Sequence, residues 1–192
     1  MEKYPGKKNI AVLISGRGSN LKSLIKYSNK KKSLFKIKLV ISNNINAKGL
    51  EIAEKSKINK QYIKYSNKKN FENRSLKLLK KNKIDLICLA GFMKILSKTF
   101  IKKFSKPILN IHPSLLPKYK GLNTHYKVIK NKEKYSGATV HIVNKELDSG
   151  KIIIQERVKI LKSDKEKTLK KKVLKIEHRL YPKAIIKFLT SY

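Results

Sequence analysis

Tryptophan is absent, cysteine occurs once, and 12 acidic residues face 48 lysines and arginines in a chain of 192 residues. The single thiol, Cys88, excludes a disulfide within the chain. In the run Asp85-Leu86-Ile87-Cys88-Leu89-Ala90 it reads as a small buried hydrophobe rather than a nucleophile or ligand. His112, His125, His141 and His178 are all the histidines, and no pair stands at a metalloenzyme spacing. No Gly-x-Ser-x-Gly motif occurs either, so neither a metal nor a covalent catalyst is expected. No apolar run approaches the ~18 residues of a membrane helix, and Met1-Glu2-Lys3-Tyr4-Pro5 lacks the apolar core of a secretory signal. A soluble, cytoplasmic protein without a membrane partner is the expectation.

What is present in excess is lysine. The formal charge of +36 and pI near 10.3 would ordinarily point to nucleic acid, because counterion release rewards clustered positive charge. Only Arg17, Arg74, Arg157 and Arg179 carry the guanidinium that reads phosphates and base edges bidentately. The lysines are spread along the whole chain among many Ile and Asn residues, as A- and T-rich codon usage produces. No specific nucleic-acid partner is expected, although anionic small substrates would be attracted.

With 40% hydrophobic residues in 22.2 kDa, the chain can bury one α/β core but not two full ones. The apolar run 9–15 ends in Gly16-Arg17-Gly18-Ser19-Asn20, after which Leu21, Leu24 and Ile25 fall at helical spacing. Strand 35–42 and helix 47–57 make a second unit. Residues 61–64 predict a short strand, 70–81 a helix and 84–90 a buried strand. Strands alternating with helices imply a mostly parallel twisted sheet with helices on both faces. From Ile108 the texture changes. Strand 108–112 runs into the proline-bounded Pro113-Ser114-Leu115-Leu116-Pro117, helix 125–132 follows, then strands 138–143 and 152–158, and a terminal helix 168–189 interrupted at Pro182. No repeat or linker appears, and no disordered tail is expected beyond the first few residues.

A glycine loop between a first strand and a first helix is a ready phosphate site, since backbone N–H groups and the helix dipole converge there. Gly16 to Asn20 fits neither the dinucleotide fingerprint nor a P-loop, which favours a monophosphate. The same residues also fit a plain tight turn capped by Ser19 or Asn20. Asn110 and His112 alternate along one strand, so their side chains face the same way at its carboxyl end. An amide and an imidazole so placed can polarise a carbonyl and stabilise an oxyanion. Asp148, in Glu146-Leu147-Asp148-Ser149-Gly150, could orient such a histidine or simply form a turn.

Four segments in order resemble the glycinamide ribonucleotide formyltransferase family, from Asn9 to about Phe188. They are Ile14-Ser-Gly-Arg-Gly-Ser-Asn-Leu21, Leu89-Ala-Gly-Phe-Met-Lys-Ile-Leu96, Leu109-Asn-Ile-His-Pro-Ser-Leu-Leu-Pro-Lys-Tyr119, and Gly137-Ala-Thr-Val-His-Ile-Val143 through Gly150. The resemblance implies a single formyltransferase domain over 1–192, with a Rossmann-like mononucleotide half (9–107) and a catalytic and folate half (108–192). It implies formyl transfer from the co-substrate 10-formyltetrahydrofolate to the amine of glycinamide ribonucleotide, a step of purine (IMP) synthesis, by direct attack through a tetrahedral intermediate. Asn110, His112 and Asp148 would be the catalytic trio, with ordered water helping to move the proton. Gly18, Ser19 and Asn20 would hold the ribose phosphate, and Leu174, Lys175, Ile176 and Glu177 the rest of the nucleotide. Lys68, Met93, Lys94, Ile95, Leu96, Asn110 and the segment Asn144, Lys145, Glu146, Leu147, Asp148 would contact folate. No metal and a monomer or homodimer are expected.

The chain departs from the family pattern at five positions. Lys68 stands for an arginine near the folate tail, which keeps the charge and loses the bidentate grip. Lys120 stands for a proline, Asn123 for a histidine, Lys151 for a proline, and Leu174 for a glutamine near the substrate. Methionyl-tRNA formyltransferase shares the Ser-Leu-Leu-Pro segment but usually adds a C-terminal barrel, and formyltetrahydrofolate hydrolase usually adds an N-terminal regulatory domain; neither addition is expected here. A third alternative is a polyanion-binding relic of the fold, which would tolerate loss of His112.

Overall fold

The computed structural model describes residues 6–191, so the expectation for the first five residues lies outside the described ones. The chain divides after Ile108 into two compact units. In the first, β1 (Lys8–Ile14), β2 (Phe35–Ser42), β3 (Asn59–Tyr62) and β4 (Leu86–Leu89) lie in the order β3-β2-β1-β4. All three pairings are parallel. Ala11 to Ile14 and the whole of β4 are buried, which is why both read as unbroken apolar runs rather than alternations.

The helices of this unit are α1 (Ser19–Ser28), α2 (Lys48–Lys55), α3 (Lys68–Lys81) and α4 (Lys98–Phe104). Each buries an apolar stripe at helical spacing, such as Leu21, Leu24 and Ile25 of α1. Two sequence expectations need correction. Edge strand β3 starts at Asn59 and ends at Tyr62, two residues before the expected 61–64, because pairing with β2 fixes Leu39 against Asn59 and Ser42 against Tyr62. Its residues, Asn-Lys-Gln-Tyr, give no alternation to read. Helix α4 has no counterpart among the sequence expectations; Ser97 caps it by accepting from Phe100 N, and Phe100 and Phe104 are its buried face.

The second unit holds β5 (Ile108–His112), of which Leu109 onward belongs to it, α5 (Thr124–Lys130), β6 (Tyr135–Ile142), β7 (Ile152–Lys159) and α6 (Glu166–Ser191). Here β6 pairs antiparallel with both β5 and β7. Helix α6 runs through Pro182 without the expected interruption. The missing hydrogen bond costs about 3 kcal/mol, but Leu180, Tyr181, Ala184 and Ile185 on either side are 1% exposed or less, and burying each such apolar side chain returns roughly 1.5–3 kcal/mol for the larger ones. The Tyr181 hydroxyl donates to Leu109 O at 3.0 Å, tying α6 to β5 beside Asn110.

Candidate active site

The antiparallel register sets the site. Asn110 lies opposite His141 and His112 opposite Thr139, so two strands place four polar side chains as cross-strand neighbours. Asp148 arrives from the loop between β6 and β7, its backbone in the left-handed region at φ 46°. Its Oδ2 accepts from Gly121 N at 2.9 Å and lies 3.4 Å from His112 Nδ1. Its Oδ1 accepts from Asn110 Nδ2 at 3.3 Å and lies 3.5 Å from His141 Nε2. His112, His141 and Asp148 are 6%, 2% and 8% exposed. Residues separated by up to 38 positions thus form one polar cluster, buried except for half-buried Asn110.

Hydrogen-bond partners settle the ring chemistry. His112 Nε2 faces Tyr119 O at 2.8 Å, so that nitrogen carries a proton and donates it. In the neutral ring Nδ1 is then the lone-pair atom facing Asp148. His141 Nδ1 donates to Ile142 O at 3.1 Å, leaving its Nε2 to accept from Asn110 Nδ2 at 3.2 Å. Burial lowers the basicity of His112, opposed by the Tyr119 carbonyl and the Asp148 carboxylate. Burial works to raise the Asp148 carboxyl, yet its polar neighbours, the Gly121 N–H and His112 among them, bring it below its ordinary value. A neutral imidazole beside a firmly ionised acid is poised to take up a proton.

The loop after β5 is pinned from behind. Thr139 Oγ1 donates to Ser114 O at 2.6 Å and accepts from Leu116 N, while Gln155 Nε2 reaches both Leu116 O and Thr139 Oγ1. Neither Thr139, His141 nor Gln155 was singled out from the sequence, because antiparallel register cannot be read from periodicity. Of the unusual residues, Asn123 sits at φ 59° as the N-cap of α5, a conformation asparagine tolerates. Lys120 Nζ donates to Ser149 Oγ in the Asp148 loop. Gly150 is obligatory, since a Cβ there would meet Ile142 O at 1.6 Å.

The glycine loop of the first unit is built by close backbone approach. Gly18, at φ 72°, is the N-cap of α1, where Ser19 or Asn20 was the expected cap. A Cβ on Gly18 would lie 2.6 Å from Gly49 Cα, and Gly49 N donates to Gly16 O at 3.1 Å, so the start of α2 rests on the loop. Ser19 is half-buried and Asn20 buried at the first turn of α1, the place where a helix offers N–H groups to an anion.

Met93 and Ile95 are 62% and 61% exposed, Lys94 is exposed, and Leu96 is buried. This segment is held at both ends. Ser15 Oγ accepts from Met93 N at 2.8 Å, and the buried Glu72 accepts from Ser97 N and Oγ, each at 2.6 Å. Lys68 is exposed at the start of α3. Leu147 is 51% exposed and Asn144 Oδ1 accepts from Glu146 N at 2.9 Å in the loop that carries Lys145 and Asp148. On α6, Ile176 and Glu177 are buried, Leu174 is half-buried and Lys175 exposed. No group of three His, Cys, Asp or Glu residues is placed to hold a metal among the described residues, and none of their helices is long and apolar enough to cross a membrane.

The formyl transferase family description matches residues 8–185. Phosphoribosylglycinamide formyltransferase of Haemophilus influenzae is 40% identical over 96% of this chain and 88% of its own. The trifunctional purine biosynthetic protein adenosine-3 of Gallus gallus is 43% identical over 93% of this chain, which spans 18% of that longer protein. The crystal structure of phosphoribosylglycinamide formyltransferase from Brucella melitensis superposes with a TM-score of 0.90 at 41% identity, covering 95% of both chains.

Proposed function

The chain belongs to the formyl transferase family, and from that membership we propose that it transfers a formyl group from 10-formyltetrahydrofolate to the amine of glycinamide ribonucleotide. The products are N-formylglycinamide ribonucleotide and tetrahydrofolate, and the work would be done in the cytoplasm. The observation that carries the reading is the cluster of half-buried Asn110 with buried His112, Asp148 and His141. A protein that only binds polyanions has no use for an imidazole oriented on both nitrogens. The two units are read as the mononucleotide half and the catalytic and folate half of one formyltransferase domain.

In this mechanism the amine attacks the formyl carbon, the carbonyl becomes an oxyanion, and the carbon–nitrogen bond to folate then breaks. Asn110 supplies an amide N–H to the oxyanion, exchanging one of the two that it gives Asp148 and His141 in the free protein. His112 takes the proton of the attacking amine at Nδ1, where the Asp148 carboxylate stabilises the new imidazolium at 3.4 Å, and the proton then passes to the leaving folate nitrogen. Gly18, Ser19 and Asn20 take the phosphate, Glu177 and its neighbours Leu174, Lys175 and Ile176 the glycinamide end. Met93 to Leu96, Asn144 to Asp148 and Lys68 take folate. Exposed Met93 and Ile95 supply apolar surface that a pterin would cover.

The test is direct turnover with both substrates by the native protein and by His112→Ala. Formation of both products by the native protein, largely lost in the variant, supports the assignment. A folded native protein that makes neither product refutes it.

A further inference from the structure

The catalytic ring is held by main chain, and that main chain is held by its own side chain. His112 Nε2 donates to the Tyr119 carbonyl, and Tyr119 sits at φ 58°, a conformation that a bulky residue adopts only when its surroundings over-determine it. Packing does part of this at most. The Tyr119 ring is half-buried and borders a cavity of about 640 Å³ lined also by Leu115, Pro117, Val128 and Tyr135. Hydrogen bonds complete the job. The hydroxyl donates to Glu133 Oε1 at 2.8 Å and accepts from Asn131 Nδ2 at 3.0 Å. Lys118 Nζ donates to the same Glu133 Oε1 at 2.9 Å, and the Lys118 carbonyl accepts from buried Ser114 Oγ at 2.7 Å.

We propose that Glu133, which does not touch the reaction site, is a positioning residue: through the Tyr119 hydroxyl it holds the carbonyl that fixes the orientation and tautomer of His112. The proposal rests on the reading of His112 as catalytic. A peptide carbonyl that drifts lets the imidazole rotate, and the nitrogen presented toward Asp148 is then no longer fixed. The other groups that act on this ring are Asp148, His141 and His125, none of which binds Nε2.

Three full-length variants test it: Tyr119→Phe, which removes only the hydroxyl, Glu133→Ala, and Glu133→Gln, which keeps an acceptor for that hydroxyl. Tyr119→Phe and Glu133→Ala should lose about tenfold in kcat with both KM values within about twofold, as small misplacements of a catalytic group do. Glu133→Gln should recover most of the loss. Nitrogen NMR of the His112 ring should show the Nε2–H form in the native protein, mixed tautomers in the first two variants, and a lower titration midpoint as the hydrogen bond loosens. Unchanged ring signals in Tyr119→Phe and Glu133→Ala overturn the proposal, even if their melting temperatures fall. Altered ring signals in a protein whose native form turns nothing over would uphold the positioning role and refute the proposed reaction instead.

Discussion

Asp148→Asn isolates the charge that the mechanism depends on, because the side chain keeps its size and loses only its carboxylate. In the native protein Oδ2 accepts from Gly121 N and Oδ1 from Asn110 Nδ2. An amide can satisfy one of these, and its NH2 must then face the other donor. The more damaging effect is on His112. Unit charges 3.4 Å apart attract by about 5 kcal/mol at an effective dielectric of about 20. Water admitted to the weakened site restores roughly half of that, leaving a deficit of about 2–3 kcal/mol for the protonated imidazole, or roughly 100-fold in kcat. Steady-state kinetics with glycinamide ribonucleotide and 10-formyltetrahydrofolate read this directly. The expected result is a large fall in kcat with little change in the KM for the nucleotide. A kcat within about threefold of native, in a variant with native melting behaviour, would refute the role of the Asp148 charge.

Gly18→Ala should destabilise the fold by about 2 kcal/mol or more, from the left-handed backbone and from the 2.6 Å approach to Gly49 Cα. It should also raise the KM for the nucleotide more than that for folate; equal effects on both would separate the loop from the phosphate. His125 is buried with its basicity pushed down to about 4, by burial and then by Lys170 and His112. The unfolded chain therefore takes up this proton first, near pH 6.5, so the stability it contributes is full above that pH and is lost as pH falls toward 4. Between pH 7 and pH 5 the loss is about 2 kcal/mol. Urea melts of the native protein should show it, His125→Gln should be flatter over the same range, and identical pH profiles would contradict the shift. Lys68→Arg should lower the KM for folate by about threefold through a bidentate grip on its carboxylate, and an unchanged KM would place the folate tail elsewhere.

Much of this protein is legible in its amino-acid sequence. The apolar runs of β1 and β4 and the helical spacing of α1 name themselves, and Asn110 with His112 on one strand face follows from a period of two. What stays hidden depends on partners far away in the chain. His141 and Thr139 join the site through an antiparallel register, and Gln155 through the next strand; no local pattern carries that information. Gly49 reads as an ordinary helix residue until Gly18 is seen against it. Helix α4 was readable, since Ser97 with Phe100 and Phe104 is a cap followed by an i, i+4 apolar pair. Pro182 misleads because a helix buried on both sides of a proline withstands the loss of one bond.

The identity of the acceptor is the claim most open to a single decisive measurement. The native protein, given 10-formyltetrahydrofolate with equal amounts of glycinamide ribonucleotide and methionyl initiator tRNA, can be followed by mass spectrometry of both acceptors. The ribonucleotide should gain one formyl group and the tRNA none. Formyl on the tRNA, or on neither acceptor, would refute the proposed reaction.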